Sequence, residues 1–279
     1  YVRQQAKPPV VFVGQCNFGY KLLPHLPKEV RTVELIHNKI WKFAMVVLPY
    51  VPFIDCRIMI ASFIKQAYLA YYRKLGIPEE FDSRIRIIRN AIEVPPPEPK
   101  ADDNILKVLF AGRGGVEKRL PLLFQVIRLV HKLNYPIQFH LAGDYAEQLP
   151  EDIRGIIVWH GQIAESKVMY ELQRNMDVFM LLSLFEGMPI AVMEAMAHST
   201  IPIATAVGGI PEMIEHEETG LLLYAEQEEE IVQSAVMQLH RLIQDKSFCK
   251  YLSANAYRYA EKYFSLQKFH EAYRNALYL

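Results

Sequence analysis

The chain has 279 residues and a mass of 32.3 kDa, which is room for one large domain or two modest ones. Its 51% hydrophobic and 22% charged residues are ordinary globular composition and exclude disorder and collagen-like structure. Formal net charge is zero, with 31 basic and 31 acidic residues, so a general nucleic-acid binder is not expected.

The charge is unevenly spread. Residues 1–100 hold 15 Lys and Arg against 8 Asp and Glu, whereas residues 101–279 hold 16 against 23. A basic first part suits phosphates or an anionic membrane surface, with a random surface imbalance as the alternative. Cys16, Cys56 and Cys249 form no CxxC and are odd in number, so neither a disulfide framework nor a zinc site is expected and a reducing compartment fits. The longest apolar run, Phe43 to Ile54, is broken by Pro49 and Pro52 and is too short to span a bilayer. No signal-peptide pattern is visible, and a chain that starts at Tyr1 is expected to be a fragment or a processed form.

In chain order, VVFVG at Val10–Gly14, RTVELI at Arg31–Ile36, CRIMIA at Cys56–Ala61 and RIRII at Arg84–Ile88 read as strands. A helix from Ser62 to about Leu75 lies between the last two, with Phe63, Ala67, Ala70 and Tyr71 on one side. Strands separated by helices predict a parallel α/β sheet. Glu93–Lys100 reads EVPPPEPK; four prolines in eight residues exclude helix and central strand and mark an extended linker.

A second α/β series follows. Strands are predicted at Leu106–Ala111, Pro136–Ala142, Ile156–Trp159, Val178–Leu182, Ile201–Ala204 and Gly220–Leu223. Helices are predicted at Leu120–Leu133, Ser166–Asn175, Pro189–Ala197 and Pro211–Glu215. From Glu226 onward the pattern is helical, with breaks near Asp245 to Ser247 and at Ser265.

Common catalytic patterns are absent: no Walker A, no GxSxG, no HExxH, and Glu117 stands where a dinucleotide fingerprint begun at Gly112 would need its third Gly. The stretch FEGMPIAVMEAMA is distinctive. Glu186 ends a strand-to-helix loop, and Glu194 sits in a helix that is apolar nearly all round. A carboxylate there needs a partner or a ligand, and a structural ion pair is the alternative to a ligand. Gly208 and Gly209 precede a helix start and admit close backbone approach to an anion, although taken alone an ordinary loop explains them. Gly112-Arg113, Glu186 and Gly208-Gly209 all fall at predicted C-terminal strand ends, where open α/β sheets bind ligands. Two cations, helix N-termini and two carboxylates suit a nucleoside diphosphate carrying a sugar.

Residues 105–265 resemble the donor-binding domain of retaining GT-B glycosyltransferases, the glycosyl transferases group 1 class (family 4). The matching segments are FAGRGGVEK, WHGQI, LLSLFEGMPIAVMEAMA, IPIATAVGGIPEMI and TGLLL, with Glu186 and Glu194 on the E-x7-E motif. ELIHN and IRNAIE resemble the closing part of the N-terminal acceptor domain. The resemblance implies a GT-B type α/β fold with two Rossmann-like domains, the first truncated at its N-terminus: residues 1–92 acceptor-side, 93–104 linker, 105–264 donor-binding, and 265–279 a helix returning to the first domain.

By that resemblance, Arg113 and Lys118 hold the donor diphosphate, Glu186 the sugar hydroxyls and Glu194 the ribose hydroxyls. Gly112, Gly208 and Gly209 belong to the donor site. Backbone amides of Gly187, Met188, Pro189 and Ile190 stabilise the leaving phosphate, Gly161 and Ile163 lie near the base, and His37 lines the acceptor side. The implied donor is UDP- or GDP-linked, with no cofactor and no metal; the absence of an Asp-x-Asp motif fits that. The implied acceptor is a glycan or a lipid-linked molecule, in bacterial surface polysaccharide or glycolipid assembly, with a cytoplasmic location and a peripheral place on the inner membrane face. Lys39 to Phe53, basic and aromatic, is the candidate for membrane contact, with a buried helix and loop as the alternative. Four positions depart from the family pattern: Arg119 where a Gly is usual, Ala91 in the N-G-I exit, and His198-Ser199 where a small residue and a Gly are common. The expected activity is that of a hexosyltransferase-like glycosyltransferase. A chain lacking the opening strands is expected to bind donor and transfer sugar poorly alone. A non-catalytic nucleotide-sugar or glycan-binding relic is the rival; a generic NAD-binding domain loses for want of the third Gly.

Overall fold

The computed structural model describes residues 9–14, 18–37, 41–100 and 104–278. Cys16 and Lys39 lie outside them, as do the side chains of Trp41, Lys42 and Phe43. The chain divides into two compact units, Tyr1–Asn90 with Leu266–Leu279, and Ala91–Ser265.

The first unit opens with β1 (Val10–Gly14) and β2 (Arg31–Ile36), then α1 (Trp41–Val47), β3 (Cys56–Met59), α2 (Ser62–Lys74) and β4 (Ile85–Ile87). The four strands are parallel in the order β1-β2-β3-β4. All of β3 is buried, as a central parallel strand covered on both faces should be. The helix α1 falls in the stretch Lys39 to Phe53, for which a buried helix and loop is the alternative to membrane contact. It buries Ala44 and Val47 and runs into a 3-10 turn that buries Leu48 and Val51, while Met45, Val46 and Phe53 stay exposed.

The inward face of α2 is Ile64, Tyr68 and Tyr72, one residue round from the predicted Phe63, Ala67, Ala70 and Tyr71. The reason is polar. Glu34 of β2 and Arg57 of β3 stand opposite each other in register, and their buried ion pair needs partners. Tyr20 donates to Glu34, Arg57 donates to Tyr72, and the guanidinium lies 5.6 Å from the ring centres of Tyr68 and Tyr72. The tyrosines turn inward to close this network, since a buried charge is tolerated only when paired and hydrogen-bonded.

The second unit comprises β5 (Leu106–Ala111), α3 (Leu120–Lys132), β6 (Ile137–Ala142), α4 (Glu151–Arg154), β7 (Ile157–Trp159), α5 (Ser166–Arg174), β8 (Val178–Leu181), α6 (Ile190–Ala197), β9 (Ile201–Thr205), β10 (Leu221–Leu223), α7 (Glu228–Gln244) and α8 (Lys246–Tyr263). Its six parallel strands run β10-β9-β8-β5-β6-β7. The chain starts in the middle, winds outward through β6 and β7, then returns to lay β8 on the other side of β5. The order reverses between β5 and β8, which is where open α/β sheets carry their ligand crevice. The predicted Pro211–Glu215 helix is a 3-10 turn at Ile210–Glu212.

The proline-rich stretch is extended but seated on the second unit. Tyr257 donates to the Pro95 carbonyl at 3.0 Å, Glu98 pairs with Arg174 at 3.1 Å, and Lys100 Nζ donates to the Ser199 carbonyl at 3.0 Å and to Met176. Burial pushes Lys100 down to about 8. Ile92 donates to the Phe264 carbonyl at 2.9 Å and bridges Ser265. The last helix, α9 (Leu266–Tyr278), packs Phe269, Ala272, Tyr273 and Leu277 with Ala276 against Val33, Cys56, Ile58 and Ile88 of the first unit. Among the described residues no helix is long and apolar enough to cross a membrane.

Candidate functional site

Three loops at the C-terminal ends of β5, β8 and β9 are tied into one structure. From the loop after β5, Arg119 donates Nε to the Leu182 carbonyl at 2.7 Å and its Nη2 to that of Ser183 at 2.9 Å. In return, Leu184 N donates to the Glu117 carbonyl at 2.7 Å. From the end of β9, Thr205 Oγ1 donates to Ser183 O at 2.7 Å, and Gly209 N donates to Gly187 O at 2.9 Å. Gly208 has φ +57°, and a Cβ there would sit 1.8 Å from the Glu186 carbonyl. Only glycine permits both the left-handed backbone and that approach.

The two side chains at the centre are Lys118 and Glu186. Lys118 Nζ lies 2.6 Å from Glu186 Oε1, and Ser183 Oγ donates to the same oxygen at 2.6 Å. The pair straddles the point where the strand order reverses, because Lys118 follows β5 and Glu186 follows β8. Their side chains are 16% and 10% exposed, desolvated enough to attract strongly yet open on one side. Glu186 Oε2 and two of the three Lys118 N–H groups have no partner among the described residues.

Arg113 is exposed, and no hydrogen bond or ion pair among the described residues ties it to Lys118 or Glu186. Gly112 N donates to the Ala142 carbonyl at 3.0 Å and Gly143 N to that of Gly161 at 2.9 Å, so the segment carrying Gly161 and the half-buried Ile163 is pinned beside the β5 loop. A Cβ on Gly143 would meet the Gly112 carbonyl at 2.1 Å. Met188 is buried, and the exposed Ile190 begins α6. Pro189 has no N–H, so of the predicted amide donors only Gly187, Met188 and Ile190 remain, and Pro189 shapes the turn. Glu194 is half-buried on α6 and makes no ion pair among the described residues. Its Oε2 accepts from Gln173 Nε2 at 3.2 Å, leaving Oε1 open. His37 lies exposed just past β2, in the first unit. No group of three or more His, Cys, Asp or Glu that suits a metal occurs among the described residues.

Sequence reasoning did not single out Ser183, Gln173 or His140, and it noted Arg119 only as a departure from the family pattern. Arg119 has φ 47° and ψ 49°, and Ser199 has φ 57°, so two of the positions that depart from the family's usual Gly adopt a backbone that suits glycine. His140 and His160 stack with ring centres 5.2 Å apart and share a hydrogen bond of 3.0 Å. Burial, His160 and Lys107 together push His140 down to about 4.

Residues 106–242 match the family described as Glycosyl transferases group 1. The uncharacterized glycosyltransferase MJ1607 of Methanocaldococcus jannaschii is 26% identical over 160 residues, 55% of this chain and 40% of that protein. Alpha-maltose-1-phosphate synthase of Mycolicibacterium smegmatis is 26% identical over 195 residues, 61% of this chain and 48% of that protein. The chain therefore spans less than half the length of either relative. The fold is also that of the pneumococcal O-GlcNAc transferase GtfA, solved with UDP and GlcNAc: TM-score 0.76 at 16% identity, covering 97% of this chain and 56% of that one.

Proposed function

The chain belongs, through residues 106–242, to the group 1 glycosyl transferases, and on that premise we propose that its second unit holds a nucleoside diphosphate sugar at the crevice between β5 and β8 for a transfer that retains anomeric configuration. The observation that carries this reading is the Lys118–Glu186 pair with its unused hydrogen-bonding capacity. Breaking the bond between sugar and diphosphate builds negative charge on the leaving phosphate. Lys118, with two N–H groups to give, and the exposed Arg113 neutralise that charge by charge-assisted hydrogen bonds. The amides of Gly187, Met188 and Ile190 add donors at the start of α6. No metal is invoked, since side chains do this work.

Glu186 Oε2 accepts from a sugar hydroxyl, and the Lys118 and Ser183 bonds to Oε1 fix its direction. Lys118 also shields the carboxylate from the diphosphate, which would otherwise repel it. Glu194 Oε1 accepts from the ribose hydroxyls, with Gln173 setting the carboxylate plane. Gly161 and Ile163 border the base. A UDP-linked donor is the first to test, given the GtfA likeness, and GDP-linked donors come next. The acceptor is a glycan or a lipid-linked molecule, with His37 of the first unit on its side.

Calorimetric titration of UDP and of uridine into wild type, Lys118→Ala and Arg113→Ala tests the reading. UDP binding should weaken about tenfold or more in each variant, with uridine binding unchanged, as expected for a lost bond to a charged group. Equal losses for both ligands would make these two residues surface cations and overturn the assignment.

A further inference from the structure

The first unit has a cavity of about 550 Å³ that the donor site does not use. It lies at the N-terminal ends of β2, β3 and β4, with Ala272, Asn275 and Ala276 of α9 as one wall. Open α/β sheets hold their reacting ligands at the opposite, C-terminal end, so this cavity is not part of a catalytic crevice.

Three guanidinium groups line it, Arg31, Arg84 and Arg86, with Asp55 as the one acidic lining residue among the described residues. None of the three pairs with a carboxylate among the described residues. Six other arginines, Arg57, Arg73, Arg128, Arg154, Arg174 and Arg241, are each paired with an acid, while Arg119 at the second unit's site is carbonyl-anchored as these three are. At the cavity each arginine is instead anchored by a backbone carbonyl. Arg31 Nη2 donates to Ala276 O at 3.0 Å, Arg84 Nη1 to Ile54 O at 2.9 Å, and Arg86 Nη1 to Ser83 O at 2.5 Å. Phe81 further braces Arg84, whose guanidinium lies 4.6 Å from the ring centre. Carbonyl anchors fix the direction of a guanidinium without cancelling its charge.

Arg31 Nε is buried with no partner among the described residues, which costs free energy unless an acceptor arrives. Arg31 and Arg86 both act on the buried Cys56 thiol, pulling it down against the burial that pushes it up, so both charges reach the same part of the cavity. Asp55 is one negative charge against three positive ones and forms no ion pair with them among the described residues. Its Oδ2 is held by the Thr32 amide at 2.8 Å and by the Thr32 hydroxyl at 2.9 Å. Its other oxygen, and the exposed Asn275 amide, remain available to hydroxyl groups.

We propose that this cavity is a second, non-catalytic binding site for the phosphomonoester of a small polyhydroxylated molecule, with Arg31, Arg84 and Arg86 on the phosphate and Asp55 and Asn275 on the hydroxyls. Planar guanidinium groups suit phosphate oxygens in bidentate geometry. The volume lies within the usual range of small-molecule sites and exceeds what bare phosphate needs. The site also gives the basic surplus of the first hundred residues a specific address. It does not depend on the donor reading of the second unit.

The test is calorimetric titration of glucose 1-phosphate, inorganic phosphate and glucose into wild type, Arg86→Gln, Arg31→Lys and Lys118→Ala. Arg86 is exposed and its replacement spares the fold; an unchanged UDP titration is the control. Glucose 1-phosphate should bind more tightly than inorganic phosphate, and glucose should not bind. Both arginine variants should weaken glucose 1-phosphate about tenfold or more and leave UDP unchanged, and Lys118→Ala should keep glucose 1-phosphate binding intact. Binding lost in Lys118→Ala but kept in Arg86→Gln would place the phosphate in the second unit and overturn the proposal. So would inorganic phosphate binding as tightly as the sugar phosphate, or no binding at all.

Discussion

Each unit contains a desolvated ion pair. In the first, Glu34 and Arg57 are 0% and 1% exposed, and both Glu34 oxygens are occupied, one by Tyr20 and one by Arg57. In the second, Glu186 and Lys118 are 10% and 16% exposed, and one carboxylate oxygen and two ammonium protons are left over. The chemistry of the pairs is alike. What separates a pair that holds a fold from one that can hold a ligand is residual valence facing an opening. The sealed pair should therefore answer to stability measurements and the open pair to binding measurements.

The largest expected effect is on the sealed side. Arg57→Ala strands Glu34 in the core and should cost about 3–5 kcal/mol, seen as a steep drop in Tm. Replacing both residues with apolar ones, Arg57→Met with Glu34→Leu, should recover much of that loss. A Tm unchanged in Arg57→Ala would show that the network holds nothing together.

Glu186→Ala probes the open pair and should do the reverse. Binding of a nucleotide sugar such as UDP-glucose should weaken by about 1.5–3 kcal/mol, roughly ten- to a hundredfold, with UDP itself little affected. Tm should move little. Parallel loss of UDP and UDP-glucose binding would detach Glu186 from the sugar.

Gly208→Ala sits behind the open pair. The added methyl collides with the Glu186 carbonyl and must adopt φ +57°, so stability should fall by about 1–3 kcal/mol and UDP-glucose affinity with it. Gly155→Ala is the control: nothing lies within 4 Å of its added methyl, and it should be silent in both assays.

The smallest effect concerns His140, whose folded value of about 4 lies below the ordinary 6.5. Above pH 6.5 the imidazole is neutral in both states. Between 6.5 and 4 the unfolded chain takes up the proton and the folded chain resists it, so stability falls as the pH drops. The loss, discounted for a half-exposed ring, is roughly 1–2 kcal/mol. Thermal melts at pH 7 and pH 4.5 should show a smaller acid loss in His140→Gln than in wild type; equal losses would remove His140 as the cause.

The open pair was easier to read in the sequence than the sealed one. Glu186 and Glu194 announce themselves as carboxylates eight apart around an apolar helix, and strand ends before Gly112 and Glu186 follow from β-rich runs stopping at turn residues. Glu34 was equally visible inside RTVELI and Arg57 inside CRIMIA, but their pairing depends on the register of β2 against β3, which no local pattern carries. The same ignorance displaced the inward face of α2 by one residue, because apolarity alone prefers Phe63 and Ala67 to a row of tyrosines. Ser183 and Gln173 escaped notice for a related reason: an ordinary polar residue becomes a positioning group only when a distant carboxylate lands beside it. For Lys39 to Phe53 the sequence leaves membrane contact and a buried helix and loop both open; α1 ends at Val47, before Pro49 and Pro52, and buries Ala44 and Val47.

The return of α9 to the first unit has a consequence for how the molecule is made. The second unit is a continuous stretch, Ala91–Ser265, and has all its parts once Ser265 has left the ribosome. The first unit begins earlier yet finishes later, since Phe269, Tyr273 and Leu277 cover Val33 and Ile58, and Arg31 reaches its Ala276 carbonyl across 245 positions. Its ordering is thus the inverse of the usual N-terminal-first sequence. Until α9 emerges the early strands wait with an apolar surface uncovered, and its arrival is what closes them.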